Sequence, residues 1–275
     1  MNRTLRSLST RAPSNLTILK DYHDGKETGV VTLFLNNPKA LNALTAPMGL
    51  EFTKIIQDLN AANNTKCLIL TGTGDAFSAG GDVKWLQERT ETAPIENSNI
   101  MKSFYQSFIV QLLSAKFPTI AAVNGVAVGA GSALILGCDY RIASRNAKAA
   151  FNFVKLGIPP GMGSTHFLPK LIGHQNASRL LLTGEMIDSE TASRMGLWEV
   201  LQDQDALSSS LTMARQIAAT SSVASKLLLK NLRSHTNLDS YLQREADSQA
   251  IAFASQDIKE GLRAIIEKRR PKFAS

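Results

Sequence analysis

The residues best suited to chemistry lie in two glycine-rich loops, 72–82 and 125–131, each directly after a short apolar run (KCLILT at 66–71, PTIAAVN at 118–124). Glycine permits positive φ and lets a ligand approach the main chain closely. A loop that feeds a helix presents unpaired N–H groups at the positive end of the helix dipole. Two such donors converging on one oxygen form an oxyanion hole. Either loop alone reads equally as a tight turn; the pair, each behind a buried strand, suggests a site. Other glycine-loop chemistries fail on their residues. Gly129-Ala130-Gly131-Ser132-Ala133-Leu134 lacks the third glycine of a dinucleotide fingerprint, and no phosphate-binding G-x-x-x-x-G-K-[S/T] occurs. Neither 76–80 (AFSAG) nor 130–134 (AGSAL) satisfies G-x-S-x-G.

Few side chains near these loops could move a proton. His166 is the nearest histidine; a helix-start or subunit-contact role is its plainer reading, and catalysis the sharper one. Asp75, Glu88 and Glu91 flank the first loop and read as solvated acids. Lys226, Lys230 and Arg233 share a helical face, solvated or facing the phosphates of a ligand. Trp85 and Trp198 read as packing residues, and Cys67 and Cys138 as inert core thiols.

The elements that must hold the loops follow from periodicity. Val31, Leu33 and Leu35 alternate with Val30, Thr32 and Phe34, which predicts a strand at 30–35. Phe52, Ile55, Ile56 and Leu59 recur at helical spacing after Pro47. The runs at 66–71 and 118–124 predict strands buried on both faces, as in a parallel sheet. Ile100, Phe104, Phe108 and Leu112 predict a long helix, 132–137 an apolar one, and 140–143 a further strand. From about Gly163 helical patterns dominate, so an α/β core of about 180 residues precedes a helical tail.

The 275 residues include 30 Lys and Arg against 23 Asp and Glu, a formal net charge of +7. Residues 1–20 carry Arg3, Arg6, Arg11 and Lys20 and no acid; the remainder, at +3, gives no reason to invoke nucleic acid. Residues 1–15 are rich in Arg, Ser and Thr and, wound as a helix, set the arginines along one side. That composition predicts a mitochondrial transit segment and a matrix address; a disordered basic tail and a cytoplasmic address are the alternatives. No apolar run reaches the ~18–20 residues of a membrane span. Two cysteines exclude a disulfide scaffold and a multi-cysteine zinc site, and no metal is expected.

Ordered motifs then carry a family likeness. Residues 36–44 (NNPKALNAL) resemble the P-x-x-x-N-A-L entry of the crotonase (enoyl-CoA hydratase/isomerase) superfamily. AFSAGGD at 76–82 is similar to its first oxyanion loop, and VNGVAVGAG at 123–131, followed by Cys138-Asp139-Tyr140-Arg141, to its second. Leu156-Gly157 with PGMGST at 160–165, then LTG at 182–184, Ala192, Gly196-Leu197 and 260–269 extend the likeness over residues 28–273. The resemblance implies an α/β spiral of ββα units over 16–205 and a helical trimerisation region over 206–275. It also implies homotrimers or hexamers, an acyl-CoA substrate and no separate cofactor. By position, the backbone N–H groups of Ala79 and Ala130 would hold the thioester carbonyl and stabilise an enolate. Asn42, Ala43, Gly80, Gly81 and Gly131 would lie beside the substrate; Asp82 reads as a helix cap, with substrate contact as the alternative. The two glutamates of the family's hydratases fall at Ala133 and Phe153, and acids of other members align near Gly161. None of these three can transfer a proton, and each such group contributes roughly 10²–10⁴-fold. Three functions stay open: a hydratase or isomerase of fatty-acid metabolism with an unusual proton donor, a decarboxylase or hydrolase of acyl-CoA, and a non-catalytic acyl-CoA-binding subunit.

Overall fold

The computed structural model describes residues 3–7 (main chain only), 15–200, 205–233 and 238–272. Its strands are β1 (Arg3–Ser7), β2 (Leu16–His23), β3 (Lys26–Leu35), β4 (Cys67–Gly72), β5 (Ala76–Ser78), β6 (Thr119–Val123), β7 (Val126–Val128), β8 (Tyr140–Ala143), β9 (Lys148–Ala150), β10 (Met186–Asp188) and β11 (Glu199–Val200). The larger sheet is ordered β1-β2-β3-β4-β6-β8-β11, antiparallel from β1 to β3 and parallel beyond. The smaller is ordered β10-β9-β7-β5, parallel except at β10. Consecutive strands alternate between the sheets, β4 then β5, β6 then β7, β8 then β9, with helices after each pair. The expected crotonase-like spiral of ββα units is what forms.

Period-two alternation explains why the parallel strands are apolar throughout. Val31, Leu33, Leu35, Leu68, Leu70, Ala121 and Val123 face the main core. Val30, Cys67, Ile69, Ile120, Ala122 and Ile142 face the opposite side, where the helix Ala206–Ala218 covers them with Ala206, Ala214 and Ala218. Both faces are buried, so a polar residue there demands a partner or costs free energy, as Thr32 Oγ1 on β3 does without one. Thr71 meets that demand by donating to Ala122 O at 2.8 Å.

Three expectations change. Arg3–Ser7 pairs antiparallel with β2, Arg3 opposite His23, rather than winding as a helix; residues 8–14 of the transit segment lie outside the described residues. Strands β5 and β7 sit inside the two glycine loops, three residues each and too short for periodicity to reveal. The long helix is α-helical over Pro94–Tyr105, π-helical over Gln106–Val110, and α-helical again over Gln111–Leu113. The tail is no separate appendage: its helix Leu238–Phe253 packs along Pro94–Tyr105. Among the described residues no helix is long and apolar enough to cross a membrane.

Candidate active site

Residues 36–44 form a scaffold for the first glycine loop. Asn42 is fully buried and sits at φ 57°; its Oδ1 accepts from Asn37 N at 2.9 Å, and its Nδ2 donates to Thr73 O at 2.9 Å and Ala76 O at 2.8 Å. Ser78 Oγ donates to Asn42 O at 2.8 Å, Leu44 N to Gly80 O at 2.7 Å, and Asp82 N to Leu44 O at 3.2 Å. Asn42 and its neighbour Ala43, expected beside the substrate, therefore lie behind the loop and do not line the cavity. Asp82 caps the helix Val83–Arg89 by accepting from Trp85 N at 2.9 Å, which accounts for its carboxylate.

The two loops touch at their glycines. Gly80 has φ +92°, and a Cβ there would lie 2.7 Å from Val128 O and 3.3 Å from Ala130 N. A Cβ on Gly131 would lie 2.6 Å from Ser78 O. Only glycine permits this approach. The N–H inventory then corrects one donor. Ala79 N–H is taken, donating to Leu41 O at 2.8 Å, and Gly80 N–H reaches Ser78 Oγ at 3.2 Å. Gly81 N–H and Ala130 N–H have no acceptor among the described residues. Ala130 is the first residue of the helix Ala130–Ile135, where an unpaired N–H is the rule.

Gly81 and Ala130 both line one cavity of about 90 Å³. Its other walls are mostly apolar, chiefly Leu86, Met101, Phe104, Phe153, Ile158 and Met162, with Tyr105, Asn152 and Gln249 as the polar side chains among them. Trp85 stacks on Phe104 (centroids 4.8 Å apart) and forms part of the rim with Ile265. No Asp, Glu or His lines it among the described residues. Phe153 stands in the cavity wall, whereas Ala133 is fully buried behind Ala130, its N–H on Gly129 O.

The remaining sequence candidates lie elsewhere. His166 is buried away from the cavity; Lys170 Nζ stands 2.8 Å from its Nε2, and Tyr241 meets its ring edge-on at 4.6 Å. The catalytic expectation for His166 is thus not met by its position, because the turn at Gly163 rotates it toward the tail. Glu88 pairs with Arg89, and Glu91 with Lys259. Lys226 binds Asn63, while Arg233 binds Asp139 and the carbonyls of Ala115 and Phe117, at the strand-start end of the parallel sheet and opposite the glycine loops. Cys67 and Cys138 are free and buried; desolvation pushes the Cys138 thiol up to about 12 and Cys67 higher, so both are inert. Trp198 is core packing, its Nε1 donating to Ser189 O at 3.0 Å.

Three polar residues near the site had no sequence signal. Tyr105 and Gln249 line the cavity. Buried Glu245, one turn before Gln249, accepts from Gly163 N at 2.6 Å and Thr165 N at 2.9 Å, holding the loop that carries Met162. Each comes from a helix in which it looks like an ordinary polar position.

A ββα spiral whose glycine loops bring two free N–H groups to an apolar cavity defines an α/β protein of the oxyanion-loop class. Residues 25–275 match the family model described as enoyl-CoA hydratase/isomerase. The chain belongs to this family of acyl-CoA enzymes. It is 36% identical over 253 residues to the 1,2-epoxyphenylacetyl-CoA isomerase of Escherichia coli K12, covering 90% of this chain and 95% of that protein. It is 36% identical over 254 residues to the crotonyl-CoA hydratase of Syntrophomonas wolfei, covering 91% and 96%. The crystal structure of an enoyl-CoA hydratase/isomerase from Pseudoalteromonas atlantica T6c superposes with a TM-score of 0.79 at 29% identity, over 90% of this chain and 97% of that one. These relatives are bacterial and lend the mitochondrial expectation no support.

Proposed function

We propose that the cavity takes the acyl end of a CoA thioester and that Gly81 N–H and Ala130 N–H hold its carbonyl oxygen. The observation that carries this reading is the pair of unpaired backbone donors facing one apolar cavity. In that dry setting two fixed donors stabilise the negative charge that develops on an enolate oxygen, at about 3–4 kcal/mol for each donor. Gly81 replaces Ala79 as the first donor because Leu41 already occupies the Ala79 N–H.

Among the described residues no carboxylate lines the cavity, and on this reading addition of water to a 2-enoyl thioester is slow. Loss of one acid/base group lowers such a rate by roughly 10²–10⁴-fold. The same acid-free wall favours a second reading, decarboxylation of a malonyl-type thioester. There the breaking C–C bond delivers its electron pair directly to the enolate, and no base is required. The assembly is proposed to be a homotrimer or hexamer, supported by the exposed apolar Val223, Leu227 and Leu232 on the tail helix Ser222–Leu232.

Calorimetric titration with butyryl-CoA, beside assays of crotonyl-CoA hydration, 3-enoyl-CoA isomerisation and CO₂ release from malonyl-CoA, tests the reading. Saturable binding with hydration at least about 10²-fold below a relative that keeps both glutamates is the expected result. Hydration at the relative's rate would remove the role given to Ala133 and Phe153, and absence of thioester binding would remove the site.

A further inference from the structure

The cavity holds one polar pair that the proposed reaction leaves unused. Tyr105 ends the helix Pro94–Tyr105, where the chain passes into the π-helical stretch Gln106–Val110; such turns concentrate at functional sites. Gln249 comes from Leu238–Phe253, the helix that packs along Pro94–Tyr105. Both side chains are buried, at 1% and 2% exposure, and both line the cavity.

Their hydrogen bonds have a fixed direction. Gln249 Nε2 donates to Pro159 O at 2.9 Å. A carbonyl only accepts, so the amide nitrogen must face Pro159 and Oε1 must face the phenol. Tyr105 Oη donates to that Oε1 at 2.6 Å. The single phenolic hydrogen is therefore committed, and the oxygen offers the cavity lone pairs only. Gly161 makes room for the pair: a Cβ at 161 would clash with Tyr105 Oη and lie 2.7 Å from Gln249 Nε2. Burial, with the Glu245 carboxylate nearby, pushes the Tyr105 phenol well above its usual range, so it stays neutral. A neutral phenol whose proton is already given away is neither a base nor a donor. It is an acceptor in an apolar wall, and it is complementary to a hydroxyl.

We propose that Tyr105, oriented by Gln249, accepts a hydrogen bond from a hydroxyl on the acyl group, so that the site selects hydroxyacyl-CoA thioesters over their unsubstituted counterparts. The proposal rests on the cavity being the thioester site. A hydrogen in place of the hydroxyl leaves the lone pairs of the buried phenolic oxygen without a donor, and a site built to pair with a ligand hydroxyl discriminates against the analogue that lacks it.

The test is calorimetric titration of the full chain and of Tyr105→Phe with 3-hydroxybutyryl-CoA, each enantiomer separately, and with butyryl-CoA. The wild type is expected to bind one enantiomer about tenfold more tightly than butyryl-CoA. Tyr105→Phe is expected to bring that ratio to about one. A wild type without preference, or a Tyr105→Phe protein that keeps it, overturns the proposal. Gln249→Met provides a second route should Tyr105→Phe not fold. It frees the phenolic hydrogen, so 3-oxobutyryl-CoA, which only accepts, should gain several-fold over butyryl-CoA; an unchanged ratio overturns the orientation argument. Failure of every thioester to bind overturns the cavity assignment itself, whereas butyryl-CoA binding with an unaltered hydroxyl preference sinks only the role of Tyr105.

Discussion

Gly80 and Gly81 are neighbours with opposite tolerances. Gly80 holds φ +92° against Val128 O, so Gly80→Ala adds both strain and a clash. A Cβ on Gly81 meets nothing nearer than Leu86 Cδ1 at 3.7 Å, and its useful N–H survives substitution. Gly80→Ala is therefore expected to lose about 1–3 kcal/mol of stability, while Gly81→Ala stays within about 0.5 kcal/mol and keeps activity. Urea unfolding of both variants checks the contrast; equal losses would contradict it. The loops themselves were legible from their glycines. The donor within the first loop was not, because which N–H is free depends on Leu41, far away in sequence and brought alongside only by the Asn42 knot.

At the scale of elements, the helix Ser164–Ile172 takes its N-terminal acceptor from another helix. Gly163 and Thr165 donate to Glu245, which meets the orphan N–H groups of the first turn without a local cap. Desolvation outweighs these bonds and raises the Glu245 pKa above its usual 4.5. The folded chain then holds this proton more readily than the unfolded chain. The contribution of Glu245 to stability is full below about pH 4.5 and declines as pH rises through the raised folded value. Glu245→Gln cannot titrate, so the stability difference, wild type minus variant, should fall as pH is raised from 4 to 7. A difference that is flat or rises with pH would contradict the raised pKa. A helical tail that carries Glu245 and Gln249 was expected, but its docking was not: nothing local in 238–253 says that it packs along 94–105.

Over the whole molecule, the fold class was readable because the parallel strands are buried on both faces and betray themselves as unbroken apolar runs. The small sheet was not, since three-residue strands carry no period. The tail, expected to serve assembly, also contributes Gln249 and Ile265 to the cavity wall of its own chain. The cavity thus draws on residues from Ala79 to Ile265, and the chemistry proposed for it rests on two backbone groups rather than on acids. Ala130 offers a direct way to remove one of them. As the first residue of its helix it can accept proline, which deletes the N–H while its fixed φ suits that position. The decisive measurement is the absorption spectrum of a bound cinnamoyl-CoA, whose conjugated carbonyl moves to longer wavelength when donors polarise it. A red shift on binding to the wild-type chain, largely lost on binding to Ala130→Pro at saturating ligand, is what two converging backbone donors predict; an equal shift in both proteins, or none in either, would contradict them.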